Sequence, residues 1–409
     1  MSPDVPQGPG SFFEGMLGDL LRLLQTRAPL PWDVAVQLAQ TIASDGASEP
    51  NTDPADRIRL EELLGVAELH VADVTGMPVA PGGRRLTILT TTRAEWARRS
   101  LEGWRPVLEQ IATALRPPAG AAAKDEPAGS GEAGPVVEAD EEAGLEGLLG
   151  QWMAAIAPAM VAMQVGSVLG HLAQRALGQY ELPLPRPSTD ELLVVPGNAR
   201  QFAEDWSLPI EDLSLWLCVR DVALHSVLSR PHVRARIELL LTRQASGVRP
   251  DPKALEEHLA GSMPGGMGDL GDLTRLLGSA GAVARLEDTP TSLAARRDLE
   301  AITSAIEGYA EWVTDTVATR SIGGRSAIRE AMRRRRVERG EDEAVAEALF
   351  GLNLEQEAID RGESFVRGVL ERGGEEELGK LWTVEANLPT PSELEAPGLW
   401  IERINLPPA

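Results

Sequence analysis

The chain has 409 residues, 43% of them hydrophobic and 25% charged, enough for two or three domains and a sizeable core. Its net charge of −23 argues against a general nucleic-acid binder, because phosphate contacts need a basic face. The single cysteine, Cys218, excludes an intrachain disulfide and a cysteine-based zinc site, and a reducing cytoplasm fits it best.

The N-terminus, "MSPDVPQGPGSFFEGML", has no basic region ahead of an apolar stretch, so no secretory signal is expected. Residues 12–25 place Phe13, Met16, Leu17, Leu20, Leu21 and Leu24 on one helical stripe. A second helix begins at Pro31 and stops near Gly46, and a third runs from the Asp53-Pro54 cap signal to Gly76. "RRLTILTTT" (84–92) is rich in β-formers, and "RAEWARRSLEGWRPVLEQIATAL" is helical again. Residues 1–116 thus form a mostly helical unit with one strand or hairpin.

Residues 117–143 hold Pro, Gly, Ala and acid with little to bury, and they predict a disordered acidic linker. Such an insertion can tether two helical layers of one fold. Residues 144–409 make the second unit. It opens on an apolar helix in which "WMAAIAPAMVAMQVGSVLG" (152–170) is uncharged over nearly membrane-spanning length. Pro158, Gln164 and Ser167, with no basic flanks, favour a buried core helix over a membrane span.

A short buried strand is predicted at 191–196, then a helix over "GNARQFAEDW", a helix start at Pro209 in "SLPIEDL", a helix over 213–229 and one from Pro231. "GSMPGGMGDLGDL" (261–273) has the composition of a flexible loop. Next come a long helix over 292–320 and a basic helix from Ile328 to Arg339. "MRRRRVERGEDE" (332–343) carries five arginines in eight residues, and flanking acids make it a solvated helix face rather than a nucleic-acid patch. Trp206, Trp216, Trp312, Trp382 and Trp400 read as packing anchors, and His171 as structural. No phosphate-binding loop, dinucleotide fingerprint or serine-hydrolase elbow occurs.

The chemistry concentrates in "LWLCVRDVALHSVLSRPHV" (215–233), which falls short of H-E-x-x-H by three residues. In that motif two histidines at i and i+4 share a helix face and hold zinc, and the glutamate polarises the bound water. A distant segment supplies the third ligand. Such a segment stands about 80 residues downstream, where "IEGYAEWVTD" sets Glu307, Glu311 and Asp315 at successive i+4 steps.

The phrases "LLVVPGNARQFAEDWSLPIEDLSLWLCVRDVAL", "IEGYAEWVTDTV", "MRRRRVERG" and "ANLPTPSELEAPGLWIERI" resemble the actinobacterial zincin-like, zinc-dependent metallopeptidases, a family formerly catalogued as a domain of unknown function. The resemblance spans nearly the whole chain from about residue 15, apart from the acidic linker. It implies a mainly α (α+β) zincin-like fold with a small β-sheet. It also implies zinc histidines at positions 220 and 224, a general base at 221, a third ligand at Glu307 and a supporting carboxylate at Glu311.

This chain has Arg220, Asp221 and Leu224 at the first three of those positions. Leucine cannot bind a metal and arginine repels one. His225 lies about 100° around the helix from position 224, and Pro231 separates it from His232, so those two are not expected to share a metal. The expectation is therefore a pseudoenzyme without a cofactor, in which an Arg220–Glu307 ion pair takes the place of zinc. Such a chain would serve as a cytoplasmic binding or scaffold protein for a protein or peptide partner, with no nucleic acid and no membrane. The alternative is an active metal-dependent hydrolase that holds zinc through a non-standard set of Asp221, Glu307, Glu311 and His225.

Overall fold

The structure is a computed structural model that describes residues 31–80, 84–114, 161–187, 189–250, 286–338 and 340–406. The predicted helix 12–25, the linker 117–143, the first part of the apolar helix and the glycine–methionine stretch 261–273 lie outside the described residues.

The fold is mostly helical. Helix α1 (Trp32–Ala43) is followed by α2 (Pro54–Thr75), which Asp53 caps by accepting a hydrogen bond from the Ala55 N–H and which ends at Gly76 in a left-handed conformation. Strand β1 (Thr87–Thr90) leads into α3 (Arg93–Ala114), and residues 161–175 form α4. Strand β2 (Glu191–Val194) then pairs in parallel with β1, with Thr87 opposite Glu191 and Thr90 opposite Val194. Gly178 bridges to Val194, which lays the 178–182 segment beside β2.

Three helices follow: α5 (Pro196–Asp205), α6 (Ile210–Leu228) and α7 (Pro231–Ser246). Each has proline at its boundary, where the missing N–H costs nothing and the fixed φ suits entry. A short antiparallel pair, β3 (Val248–Pro250) with β4 (Leu286–Asp288), precedes the long α8 (Pro290–Ser321). The chain closes with α9 (Arg325–Val337), α10 (Glu341–Phe350), α11 (Gln356–Gly379), α12 (Pro391–Glu395) and α13 (Pro397–Asn405).

Helices α10 and α11 and the β3–β4 pair fall in stretches to which no element is assigned from sequence. Helix α11 is the more consequential. It crosses α8 at Gly362 and Gly308, where a Cβ on Gly308 would lie 2.1 Å from the Gly362 carbonyl carbon. Only glycine at both positions lets the two backbones touch, and the glycine of "EGYAE" thereby fixes the height of Glu307 and Glu311 in the fold.

One buried apolar cluster runs from Trp32 in α1 through Ile88 in β1, Val222 in α6 and Tyr309 in α8 to Trp400 in α13. The regions on either side of the acidic segment both contribute to it. Trp216, Trp382 and Trp400 are buried, and Trp206 and Trp312 pack partly exposed at the edges of the clusters. In the apolar helix, Ala162, Val165, Val168 and Leu169 are buried. Among the described residues no helix is long and apolar enough to cross a membrane.

Candidate functional site

Helix α6 is buried almost all round: apart from Leu215 and Arg220, every residue from Leu213 to Leu228 is buried. A helix apolar on every face belongs inside a core, so each polar side chain on it needs a partner. Arg220, Asp221 and His225 are the polar groups that point to different neighbours.

Arg220 reaches α8. Its Nη2 donates to Glu307 Oε2 at 2.8 Å, with 13% and 4% of the two side chains exposed. Burial works against the guanidinium charge, but Glu307 and Glu311 more than offset it and hold the Arg220 pKa above its ordinary value. Leu224, one turn further along α6, is fully buried and packs in the central apolar cluster.

Asp221 turns the other way, onto the segment beside β2. Its Oδ2 accepts the Gln179 N–H at 2.8 Å, and a Cβ on Gly178 would come within 2.3 Å of the same oxygen. Glycine at 178 is what lets the carboxylate lie on the backbone. Burial lifts the Asp221 carboxyl to about 7, against the downward pull of the Gln179 N–H and of Arg220.

His225 faces Tyr180, with the phenol oxygen 2.8 Å from Nδ1. Burial lowers the imidazole to about 4, so the ring is neutral at pH 7. Its Nε2 is buried and makes no hydrogen bond.

Glu311 has its own cation, from an unexpected source. Arg336 on α9 donates from Nη1 to Glu311 Oε1 at 2.6 Å, with 17% and 5% of the side chains exposed. Burial opposes ionisation of Glu311, but Arg336 and then Arg220 outweigh it and hold its carboxyl below the usual glutamate value. Beside Arg336, the Arg335 guanidinium donates to Glu181 at 2.9 Å and to the Arg175 carbonyl at 2.8 Å.

This corrects the solvated-face reading of the arginine run, which among the described arginines holds for Arg333 and Arg334 but not for Arg335 and Arg336. Ile328, Ala331 and Met332 are the buried residues of α9, and positions 335 and 336 continue their i, i+3, i+4, i+7, i+8 stripe. The spacing from Ile328 was the signal; charge composition masked it.

A cavity of about 90 Å³ lies between these groups, lined by Tyr180, Leu217, Arg220, Asp221, Glu307 and Arg336 among others. Asp221 and Glu307 line it, but the alternative ligand set as a whole does not meet there: Asp221 lies on the 179 backbone, His225 turns Nδ1 to Tyr180, and each glutamate pairs with an arginine. Among the described residues no three His, Cys, Asp or Glu side chains group closely enough to hold a metal ion. The donor set therefore does not fit zinc.

Compared with known proteins, the sequence matches the family description "Zincin-like metallopeptidase" over residues 30–401. A search of curated proteins gave no significant match. Among solved structures, a Chloroflexus aurantiacus protein titled "putative hydrolase with a novel fold" superposes with a TM-score of 0.61. It shares 21% identity, with 93% of this chain and 100% of that one covered, a likeness of fold. With 372 of its 409 residues inside the match, counting 30 to 401 inclusively, the chain belongs to the zincin-like metallopeptidase family.

Proposed function

We propose that this chain is a family member that has given up zinc and peptidase chemistry and acts as a cytoplasmic binding or scaffold protein for a protein or peptide partner. The observation that carries the reading is the Arg220–Glu307 pair at 2.8 Å, with the guanidinium rooted at the position of the first zinc histidine. Leu224 supports it, because the second histidine position has become core. Asp221, the remaining candidate general base, has its Oδ2 held by the Gln179 backbone N–H.

Metal analysis of the purified full-length chain, grown with added zinc and then dialysed, tests this. The expected result is zinc far below one per chain and no hydrolysis of a casein or mixed-peptide substrate. Zinc near one per chain, lost in Glu307→Ala, would overturn it and restore the hydrolase alternative.

A further inference from the structure

Helix α2 is apolar on two opposite faces. Leu60, Leu64, Ala67 and Val71 are buried against the core, while Ile58, Val66 and Leu69 are 61%, 39% and 75% exposed. At i, i+8 and i+11 these three fall within about a quarter of the helix circumference, so they form a stripe rather than scattered surface residues. Gly65 lies midway along it. A Cβ there would meet nothing within 4 Å, so no contact within the described residues calls for glycine. Glycine inside a helix is destabilising relative to alanine, and it is useful where a second backbone comes close.

We propose that this face pairs with the same face of a second copy of the chain, α2 against α2 in antiparallel order about a two-fold axis. The axis passes at the level of Glu62 to Gly65, so that Ile58 of each copy meets Leu69 of the other. Gly65 then leaves room for the stem of Glu62 from the second copy. Charge favours this order. Arg57, 60% exposed, stands at the start of α2, and Asp73, 73% exposed, at its end. Their partners within the chain, Glu61 and Arg320, are themselves exposed and leave both free to respond to a neighbour. Antiparallel pairing lays each end, with its helix dipole, over the opposite end, whereas parallel pairing stacks like on like. A face complementary to its own reverse is what a two-fold dimer requires.

The other apolar stretches of this chain join it elsewhere. Thr52, just ahead of α2, meets Thr90 of β1, and Glu49 holds the Arg93 N–H at the start of α3. Trp32 instead donates to Glu109, about 24 Å further along α3. Gly166 lies against Ala35 and Gly170 against Ala39, so α1 and α4 run in the same direction and Val161 enters at the Trp32 end. The stretches 12–25 and 152–160 therefore connect at the end of the molecule away from the β1 end that α2 adjoins.

Sedimentation of the full-length chain over a concentration series tests the pairing. A monomer–dimer equilibrium is expected, because one helix face buries less than an obligate dimer interface. Ile58→Asp with Leu69→Asp should abolish the dimer without lowering the melting temperature of the monomer. Gly65→Leu should weaken the dimer about tenfold or more yet melt no lower, since the added side chain meets open space in the single chain. A monomer at every soluble concentration, the outcome if another part of the chain covers this face, would overturn the proposal. A dimer that survives the double substitution would overturn it too.

Cross-linking tests the orientation. Cys218 is buried, so a cysteine introduced on the outer face of α2 is the reactive one. Under mild oxidation Glu62→Cys should join two copies. Ala55→Cys, about 25 Å from its counterpart in the antiparallel order, should not. Equal cross-linking of the two variants would contradict the arrangement.

Discussion

Two of the glutamate–arginine pairs on helix α8 sit in opposite surroundings. Glu307 meets Arg220, and Glu300, two turns earlier on the helix, meets Arg361. Around Glu300 the surroundings are loose: about 30% of Arg361 and 25% of Glu300 are exposed, and Arg361 is shared with Glu357 at 3.8 Å and Glu395 at 3.9 Å. Around Glu307 the pair is nearly sealed and its arginine comes from the core of α6. Identical groups thus do different jobs, because water screens one pair and can relieve either partner if the other is lost. Within the core nothing replaces a missing charge, so the inner pair behaves as a unit.

The largest expected effect follows from that difference. Arg220→Met leaves the Glu307 carboxylate buried and uncompensated, and denaturant unfolding should show a loss of about 3–5 kcal/mol. Replacing both members, as Arg220→Met with Glu307→Leu, should recover most of that loss, since a buried pair exchanged for apolar groups is often neutral. A double variant no more stable than the single would break the comparison.

The next effect lies in the pH dependence of stability. Asp221 titrates near 7 in the folded chain, above its unfolded value of about 3.9. Between those pH values the folded state holds the extra proton, so stability contributed by Asp221 is fully present below about 4 and is lost as pH rises to 7. His225 has the opposite sign: its folded value of about 4 lies below an unfolded value of about 6.5. Over that window the unfolded state binds more protons, so stability rises with pH.

From pH 4 to 6.5 the two slopes oppose each other, each about 1.4 kcal/mol per pH unit at most. Asp221→Asn should uncover a rising slope and His225→Gln a falling one, measured by unfolding across that range. Slopes of the same sign would contradict the burial of either group.

The smallest effect belongs to the outer pair. Glu300→Gln should change unfolding stability by no more than about 1 kcal/mol, and added salt should shrink even that. A loss comparable to that of Arg220→Met would show that exposure does not separate the two regions.

Much of this was legible in the sequence because the signals were local. Asp53-Pro54 and Gly76 mark the ends of α2, Pro209 and Pro231 bracket α6, and Glu307 and Glu311 share a helix face by spacing alone. The Arg220–Glu307 contact was also legible, since a resemblance placed both residues at one centre and opposite charge did the rest.

What escaped depended on which face a helix turns inward. Composition described the arginine run, yet burial of Arg335 and Arg336 is decided by their register with Ile328 and Met332. Helix α11 carries a readable stripe through Ile359, Gly362, Val366 and Val369, but glycines and acids dilute its apolar character. Gly178 gives no signal at all until Asp221 is seen lying across it.

Diffraction from crystals grown with zinc, collected on both sides of the zinc absorption edge, tests the central claim most directly. An Arg220 guanidinium within hydrogen-bonding distance of Glu307, with no anomalous peak beside either glutamate, is the predicted result. An anomalous peak bound to Glu307, with the Arg220 guanidinium displaced from it, would contradict the account.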